Sequence, residues 1–237
     1  MALIVTVNHP VTSTTFIDRF LATCEAYRVR AILIFNKTDL LTEEELEQQN
    51  ELRALYENLG YPTLAITAIH LTDEDGLAGI NDLMSGQVTL LSGNSGVGKS
   101  TLLNALFGRE MTRTGKISDA HDKGMHTTTF SEMYFLEDKN ERTKDEKNLS
   151  PFTFHLSSII DTPGIKGFGS VDMAREEVSH YFREIFQTSR LCRFGNCTHT
   201  NEPGCAVQDA VVRGDIALSR YESYLSLLGD CAESKYR

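Results

Sequence analysis

The chain has 237 residues, 41% of them hydrophobic and 24% charged, and a formal net charge of −10. This is the composition of an ordinary globular protein, long enough for one sizeable α/β domain and a small appendage. The acidic balance argues against a broad nucleic-acid surface while leaving room for a local basic patch. No apolar run reaches the length of a bilayer span, and the opening MALIVTVNHP has neither a basic n-region nor a small-residue cleavage site, so no signal peptide is expected.

In chain order, ALIVTV (2–7) reads as a buried strand. Residues 15–28 place Phe16, Phe20, Leu21 and Cys24 at helical spacing, with Thr14 or Thr15 as the cap. RAILIFNK (30–37) is a second buried strand that ends in polar residues. In 42–60, Thr42 opens a Thr-x-x-Glu capping box and Gly60 closes a helix. PTLAITA (62–68) is a third strand, followed by a loop and a short helix that ends near Met84. QVTLLSG (87–93) is a fourth strand and KSTLLNALFG (99–108) the helix after it. Residues 109–128 lack apolar periodicity and read as a long flexible loop. TTFSEMYFLE (128–137) and FTFHLSSIID (152–161) are strands, and the charge-rich 138–151 between them reads as a solvated hairpin loop. Beyond Asp161 the pattern turns helical. Val178, Tyr181, Phe182, Ile185 and Phe186 mark one amphipathic face, and helical stretches at 206–213 and 215–229 follow, divided by Gly214. The expected organisation is an α/β domain over 1–170 and a small, mainly helical domain over 171–237.

Gly93-x4-Gly98-Lys99-Ser100 matches the P-loop pattern in full, between a buried strand and a helix. The run Gly93, Asn94, Ser95, Gly96, Val97, Gly98, Lys99, Ser100 and Thr101 is therefore the expected phosphate cradle. Its glycines let backbone N–H groups point inward, and the helix N-terminus adds a positive field. Lys99 reaches the β- and γ-phosphates, which also makes it a catalytic candidate, and Ser100 offers a hydroxyl to Mg²⁺. Asp161-Thr162-Pro163-Gly164 ends an apolar strand: Asp161 can hold Mg²⁺ through water and Gly164 can offer its N–H to the γ-phosphate. GMHTTT (124–129) closes the flexible loop. Either Thr128 binds Mg²⁺ only while the γ-phosphate is present, the order–disorder switch of a GTPase, or the threonines are simply β-formers that start a strand.

Asn36-Lys37-x-Asp39 sits at the C-terminal end of a buried strand, where open α/β sheets bind ligands. Guanine offers N1–H and N2–H₂ as a donor pair that the Asp39 carboxylate can accept, and adenine lacks that pair. The stem of Lys37 can cover the purine face, and Asn36 can tie this loop to the phosphate site. Thr67 and Ala68 end the next strand, where the Ala68 N–H is positioned to meet guanine O6. The parts of a GTPase are all present, but base-reading motifs precede the phosphate loop. The sequence is thus a circular permutation of the usual order, an arrangement tolerated when termini fall in exposed, neighbouring loops. Cys192, Cys197, His199 and Cys205 form a Cys₃His set suited to one closed structural zinc site, which favours a reducing compartment, whereas Cys24 and Cys231 are isolated thiols.

The order N-K-T-D, G-N-S-G-V-G-K-S, H-T-T-T, D-T-P-G, then C-x4-C-x-H-x5-C, resembles the circularly permuted RsgA-type GTPases of small-ribosomal-subunit maturation, over essentially the whole chain. The resemblance implies a Rossmann-like P-loop GTPase sheet in permuted order with a helical zinc-binding domain, GTP or GDP with Mg²⁺ as ligands, and the small ribosomal subunit, both rRNA and protein, as partner. It also implies a cytoplasmic protein without membrane or DNA partners, expected to be monomeric. The family's usual N-terminal OB-fold barrel is not recognisable here, and the 138–151 loop is longer than the family's usual connection. Ile165 follows the D-x-x-G motif where many GTPases carry a water-orienting Gln, so hydrolysis is expected to be slow alone and faster with the subunit. His126 either places the attacking water or is an exposed loop histidine. Because Asp161–Gly164 runs directly into the helical and zinc segment, nucleotide state is expected to set that segment's posture. The alternative is a nucleotide-gated RNA- or protein-binding module in which turnover is incidental.

Overall fold

The strands Ala2–Val5 (β1), Ile32–Phe35 (β2), Thr63–Ala65 (β3), Val88–Ser92 (β4), Glu132–Leu136 (β5) and Ser157–Asp161 (β6) pair into one sheet of order β3-β2-β1-β4-β6-β5. This is a computed structural model, which describes residues 1–72, 76–108, 132–136, 157–161 and 173–233. All neighbours in the sheet run parallel except β5, which pairs antiparallel with β6. Strands β1 to β4 are each shorter than the runs expected from sequence. Residues of β1 and β2 are buried throughout, as parallel strands covered on both faces must be. In β5 the side chains alternate: Tyr134 packs against Phe107 and the core, while Met133 and Phe135 face outward. The parallel arrangement brings the C-terminal ends of β1, β2, β3, β4 and β6 to one edge, where Asn36, the loop after β4 and Asp161 lie.

The described chain contacts divide into two compact units. The first comprises residues 1–11, 32–53 and 62–165. Its core gathers Ala2, Ile4, Ile34, Leu91, Leu102 and Ile159 among others, each such burial worth about 1.5–3 kcal/mol for the larger aliphatic side chains. The second takes residues 12–31, 54–61 and 166–237. The boundary expected at 170/171 lies outside the described residues.

The first unit contains most of the helix Glu43–Asn58 (α2), all of Ala78–Met84 (α3) and all of Lys99–Phe107 (α4). The expected capping box forms: the Thr42 N–H donates to Glu45 Oε2 (2.9 Å) and the Glu45 N–H to Thr42 Oγ1 (3.3 Å). Gly108, at φ +62°, ends α4 as a left-handed cap.

In the second unit the helix Thr14–Ala26 (α1) packs on Leu218–Glu233 (α7), and Arg183–Ser189 (α5) packs on Ala206–Arg213 (α6), with a core of Val178, Phe182, Ile185, Val207 and Tyr224 among others. The cap of α1 is Ser13, whose Oγ accepts the Phe16 N–H (3.2 Å), in place of the expected Thr14 or Thr15. A serine one residue upstream reaches the same orphan donor, which composition could not rank against the threonines. The amphipathic face 178–186 is split between a 3-10 segment, Arg175–Tyr181, and α5. Helix α7 starts later than expected, at Leu218, because the N–H groups of Asp215 and Ile216 both close onto the carbonyl of Ala210 around Gly214. At the centre of this unit Arg220, 1% exposed, donates to Glu184 Oε1 (2.6 Å) and Asp18 Oδ1 (2.7 Å) and lies over the Phe182 ring. Tyr56 donates its hydroxyl to the same Asp18 oxygen (2.9 Å). Burial pushes the Asp18 carboxyl up, against the opposing charge of Arg220.

Candidate functional site

The junction between the two motifs rests on Asn36, the first residue past β2. Its backbone N–H still donates to Val5 in the parallel ladder, which holds the side chain at the sheet edge, 2% exposed. From there Nδ2 donates to the carbonyl of Val97 in the phosphate loop (2.8 Å) and Oδ1 accepts the N–H of Ala68 (3.0 Å). One carboxamide thus joins residues from three separate stretches of chain. The Ala68 N–H, expected to meet guanine O6, is taken by Asn36 in this conformation, so a purine would have to exchange for that bond.

The loop geometry explains two of the glycines. Gly98 has φ +98°, and a Cβ there would collide with the Asn36 amide. A Cβ on Gly93 would stand 2.6 Å from the carbonyl oxygen of Ile4. Only glycine lets the phosphate loop pack this closely on β1 and on Asn36. Lys99 opens α4 and folds back so that Nζ donates to the carbonyls of Gly93 (2.6 Å) and Asn94 (2.9 Å). Burial pushes its ammonium down, and Asp161 opposes the shift. Asp161 ends β6 in register with Leu91, which sets a carboxylate beside the phosphate loop. The loop therefore holds a cation, a carboxylate and the start of a helix around one point, an arrangement that fits a phosphate with its Mg²⁺.

A cleft of about 110 Å³ opens between Asn36, Lys37, Asp39, Ala68, Gly98 and Thr101, with Leu40 and Ile69 at its lip. Lys37 adopts φ +65°, and its Nζ donates to the carbonyl of His9 (2.5 Å). Thr38 donates through its hydroxyl to the carbonyl of Ile66 (3.1 Å), which ties the loop carrying Asp39 to the loop carrying Thr67 and Ala68. Gly164, Thr128 and His126 lie outside the described residues, as do Thr162, Pro163 and Ile165.

The second unit brings Cys192, Cys197, His199 and Cys205 together, with their ligand atoms all within 4.8 Å of one another. Cys192 Sγ and Cys205 Sγ are 4.0 Å apart, and they stand 3.6 and 3.5 Å from His199 Nδ1. A tetrahedral zinc with arms of about 2.3 Å to sulfur and about 2.0 Å to nitrogen has edges of roughly 3.8 and roughly 3.5 Å, so the set fits that ion. His199 takes φ +58°, a left-handed turn held by hydroxyls from both sides: Tyr224 donates to the Thr198 carbonyl (2.8 Å) and Tyr221 to the His199 carbonyl (2.5 Å). Cys205 also caps α6, its sulfur accepting the Gln208 N–H (3.5 Å). Burial pushes the Cys197 thiol up to about 12, so a nearby cation is what would hold it as thiolate. Glu202 fastens the same loop. Burial opposes its ionisation, but the Thr198 hydroxyl and the N–H groups of Thr198 and Thr200 hold its carboxyl down to about 2.

Sequence reasoning missed Glu202, Gln208, Tyr221 and Tyr224, which position the metal-binding loop. It also missed Asn8, His9 and Glu45 beside Lys37. Most of these act on or through backbone groups, which carry no residue signature. The Thr42 box did point to Glu45, but only as a cap.

The RsgA GTPase family model matches residues 1–171. The chain belongs to the RsgA GTPase family. A relative named small ribosomal subunit biogenesis GTPase RsgA, from Porphyromonas gingivalis strain W83, is 54% identical over 99% of this chain and 69% of its own length. Its namesake from Phocaeicola vulgatus is 53% identical over the same shares. Among solved structures, YjeQ from Thermotoga maritima aligns with a TM-score of 0.71 at 31% identity, over 98% of this chain and 70% of that one. YloQ, described as a circularly permuted GTPase, aligns with a TM-score of 0.71 at 28% identity, over all of this chain and 69% of its own. This RsgA-family chain is accordingly a GTP hydrolase with a permuted P-loop fold, and its Cys₃His cluster fits zinc. No helix among its described residues is long and apolar enough to cross a membrane.

Proposed function

We propose that this GTPase acts in assembly of the small ribosomal subunit in the cytoplasm, as a monomer that docks on rRNA and protein and leaves when GTP is hydrolysed. The observation that carries the nucleotide half is the Asn36 carboxamide, which binds Val97 of the phosphate loop and Ala68 of the base loop at once. That bridge supports one guanosine nucleotide touching both motifs. In this reading Asp39 accepts the guanine donor pair, Lys37 covers the ring, and residues 93–101 wrap the phosphates. Lys99 would neutralise the β- and γ-oxygens, Ser100, Thr128 and, through water, Asp161 would hold Mg²⁺, which would offset the phosphate charge, and Gly164 would meet the γ-phosphate. His126 is the internal candidate for placing the attacking water.

The ribosomal half is supported by the names of relatives more than half identical over nearly the whole chain. One Zn²⁺ on Cys192, Cys197, His199 and Cys205 would hold residues 190–205 in a single shape, with all four positions filled by protein and none left for a reactive water. The chain runs from Asp161–Gly164 straight into the segment that carries this site, so loss of the γ-phosphate has a covalent route to it.

The test is GTP turnover with and without purified small subunits, beside co-sedimentation with GDP or a non-hydrolysable GTP analogue. Turnover should rise and binding should favour the analogue. Equal binding in both nucleotide states, with no stimulation, would rule the reading out. Asp39→Asn should move preference from guanine to xanthine nucleotides, and an unchanged preference would remove Asp39 from the base site.

A further inference from the structure

The loop after β1 makes contacts that neither the P-loop nor the N-K-x-D pattern requires. Asn8 uses both ends of its carboxamide. Its Nδ2 donates to Glu45 Oε1 (2.5 Å), and its Oδ1 accepts the N–H of His9 (2.9 Å). Glu45 is itself held by the Thr42 N–H through its other oxygen (2.9 Å). His9, at φ +58°, turns its carbonyl to accept from Lys37 Nζ (2.5 Å). An unbroken chain of hydrogen bonds therefore runs from the N-terminus of α2, through Glu45, Asn8 and His9, to the ammonium of Lys37 at the base cleft. The left-handed conformation of His9 is costly for a residue with a Cβ and needs such anchors on either side. Hydrogen bonds from the Thr42 backbone and from Asn8 hold the Glu45 carboxyl below its usual range, so this acceptor stays ionised at neutral pH.

We propose that Asn8 is a positioning residue for guanine-nucleotide binding: held by Glu45, it fixes the His9 carbonyl that pins Lys37 beside the base cleft before the purine arrives. Lysine carries a long, flexible stem, and ordering it costs side-chain entropy on binding unless it is already ordered. The inference rests on the reading of the Asp39 cleft as the guanine site. It adds that this cleft is held ready by an acidic cap on a different helix.

The experiment measures the dissociation constant of a fluorescent GDP analogue for the full chain and its variants. Asn8→Ala should weaken binding about fivefold, the worth of one hydrogen bond, and leave the preference for GDP over XDP unchanged because Asp39 is untouched. On a Lys37→Ala background the same substitution should add less than about twofold, since its effect passes through Lys37. Asn8→Asp and Glu45→Gln should each weaken binding alone. Together they should restore it to within about twofold of the starting protein, because the amide then donates from position 45 and Gln still serves a capping box. Wild-type affinity in Asn8→Ala, a full additive loss on the Lys37→Ala background, or no rescue by the exchanged pair would each overturn the proposal while leaving the guanine site standing. Failure of the unaltered protein to bind GDP would overturn both.

Discussion

Replacing Asn36 by alanine should cost more nucleotide affinity than its distance from the phosphates suggests. The side chain is 2% exposed and makes two hydrogen bonds, to Val97 O at 2.8 Å and from Ala68 N at 3.0 Å. Truncation leaves the buried Val97 carbonyl without its partner, at a cost of about 1–3 kcal/mol, while the Ala68 N–H that it frees can still turn to the purine. If the lower figure appears in binding, the GDP dissociation constant rises about fivefold, and the middle of the range corresponds to about thirtyfold. Titration of a fluorescent GDP analogue into Asn36→Ala reads this directly. Asn36→Asp serves as a second probe. It keeps an acceptor for the Ala68 N–H but sets a carboxylate against the Val97 carbonyl, so it should also bind weakly. Affinity within twofold of wild type for Asn36→Ala would mean that the bridge does not organise the site.

Three further outcomes follow from the second unit. Arg220→Ala strands Asp18 and Glu184 near a buried position and should lower unfolding stability by about 3–5 kcal/mol in urea denaturation, whereas a loss under about 1 kcal/mol would show that the pair is not energetically committed. The purified chain should carry one zinc per molecule by elemental analysis, and Cys205→Ser or a strong chelator should lower that content and expose amides around residues 190–210 to hydrogen exchange; a full-content Cys205→Ser protein would remove that ligand from the set. The Glu202 carboxyl is held at about 2 when folded and returns to about 4.5 when unfolded. A depressed folded value means that its stabilisation is complete above about pH 4.5 and disappears as pH falls towards 2. Glu202→Gln should therefore flatten acid unfolding in that window, and identical slopes for the two proteins would contradict the assignment.

The strands and the phosphate loop were legible because their signals are local. Parallel strands buried on both faces show as short apolar runs, and a loop that wraps phosphates needs glycines at fixed spacing. The Thr42 capping box, the Gly108 stop and the Cys₃His spacing were legible for the same reason. The cap at Ser13 and the division of residues 175–189 into a 3-10 turn and a helix were not. Each depends on which of two near-equal local options packs better against partners far away in sequence. The network of Asp18, Tyr56, Glu184 and Arg220 left no trace either. In sequence these are four ordinary polar residues on helical stretches, and a charged side chain there is normally solvated.

What residues alone determined here is chemistry: which loop is suited to phosphate, which carboxylate can accept the guanine donors, which side chains suit zinc, and that these occur in permuted order. Each follows from a side chain's intrinsic donors, acceptors or lack of a Cβ, so no neighbour need be known. What only the tertiary structure decided is who holds them in place. That Asn36 spans Val97 and Ala68, that Asn8 and His9 restrain Lys37, and that Tyr221 and Tyr224 fix the turn at His199 are meetings of residues distant along the chain. Several of them use backbone groups that every residue has, and these become specific only when the fold sets them at hydrogen-bonding distance.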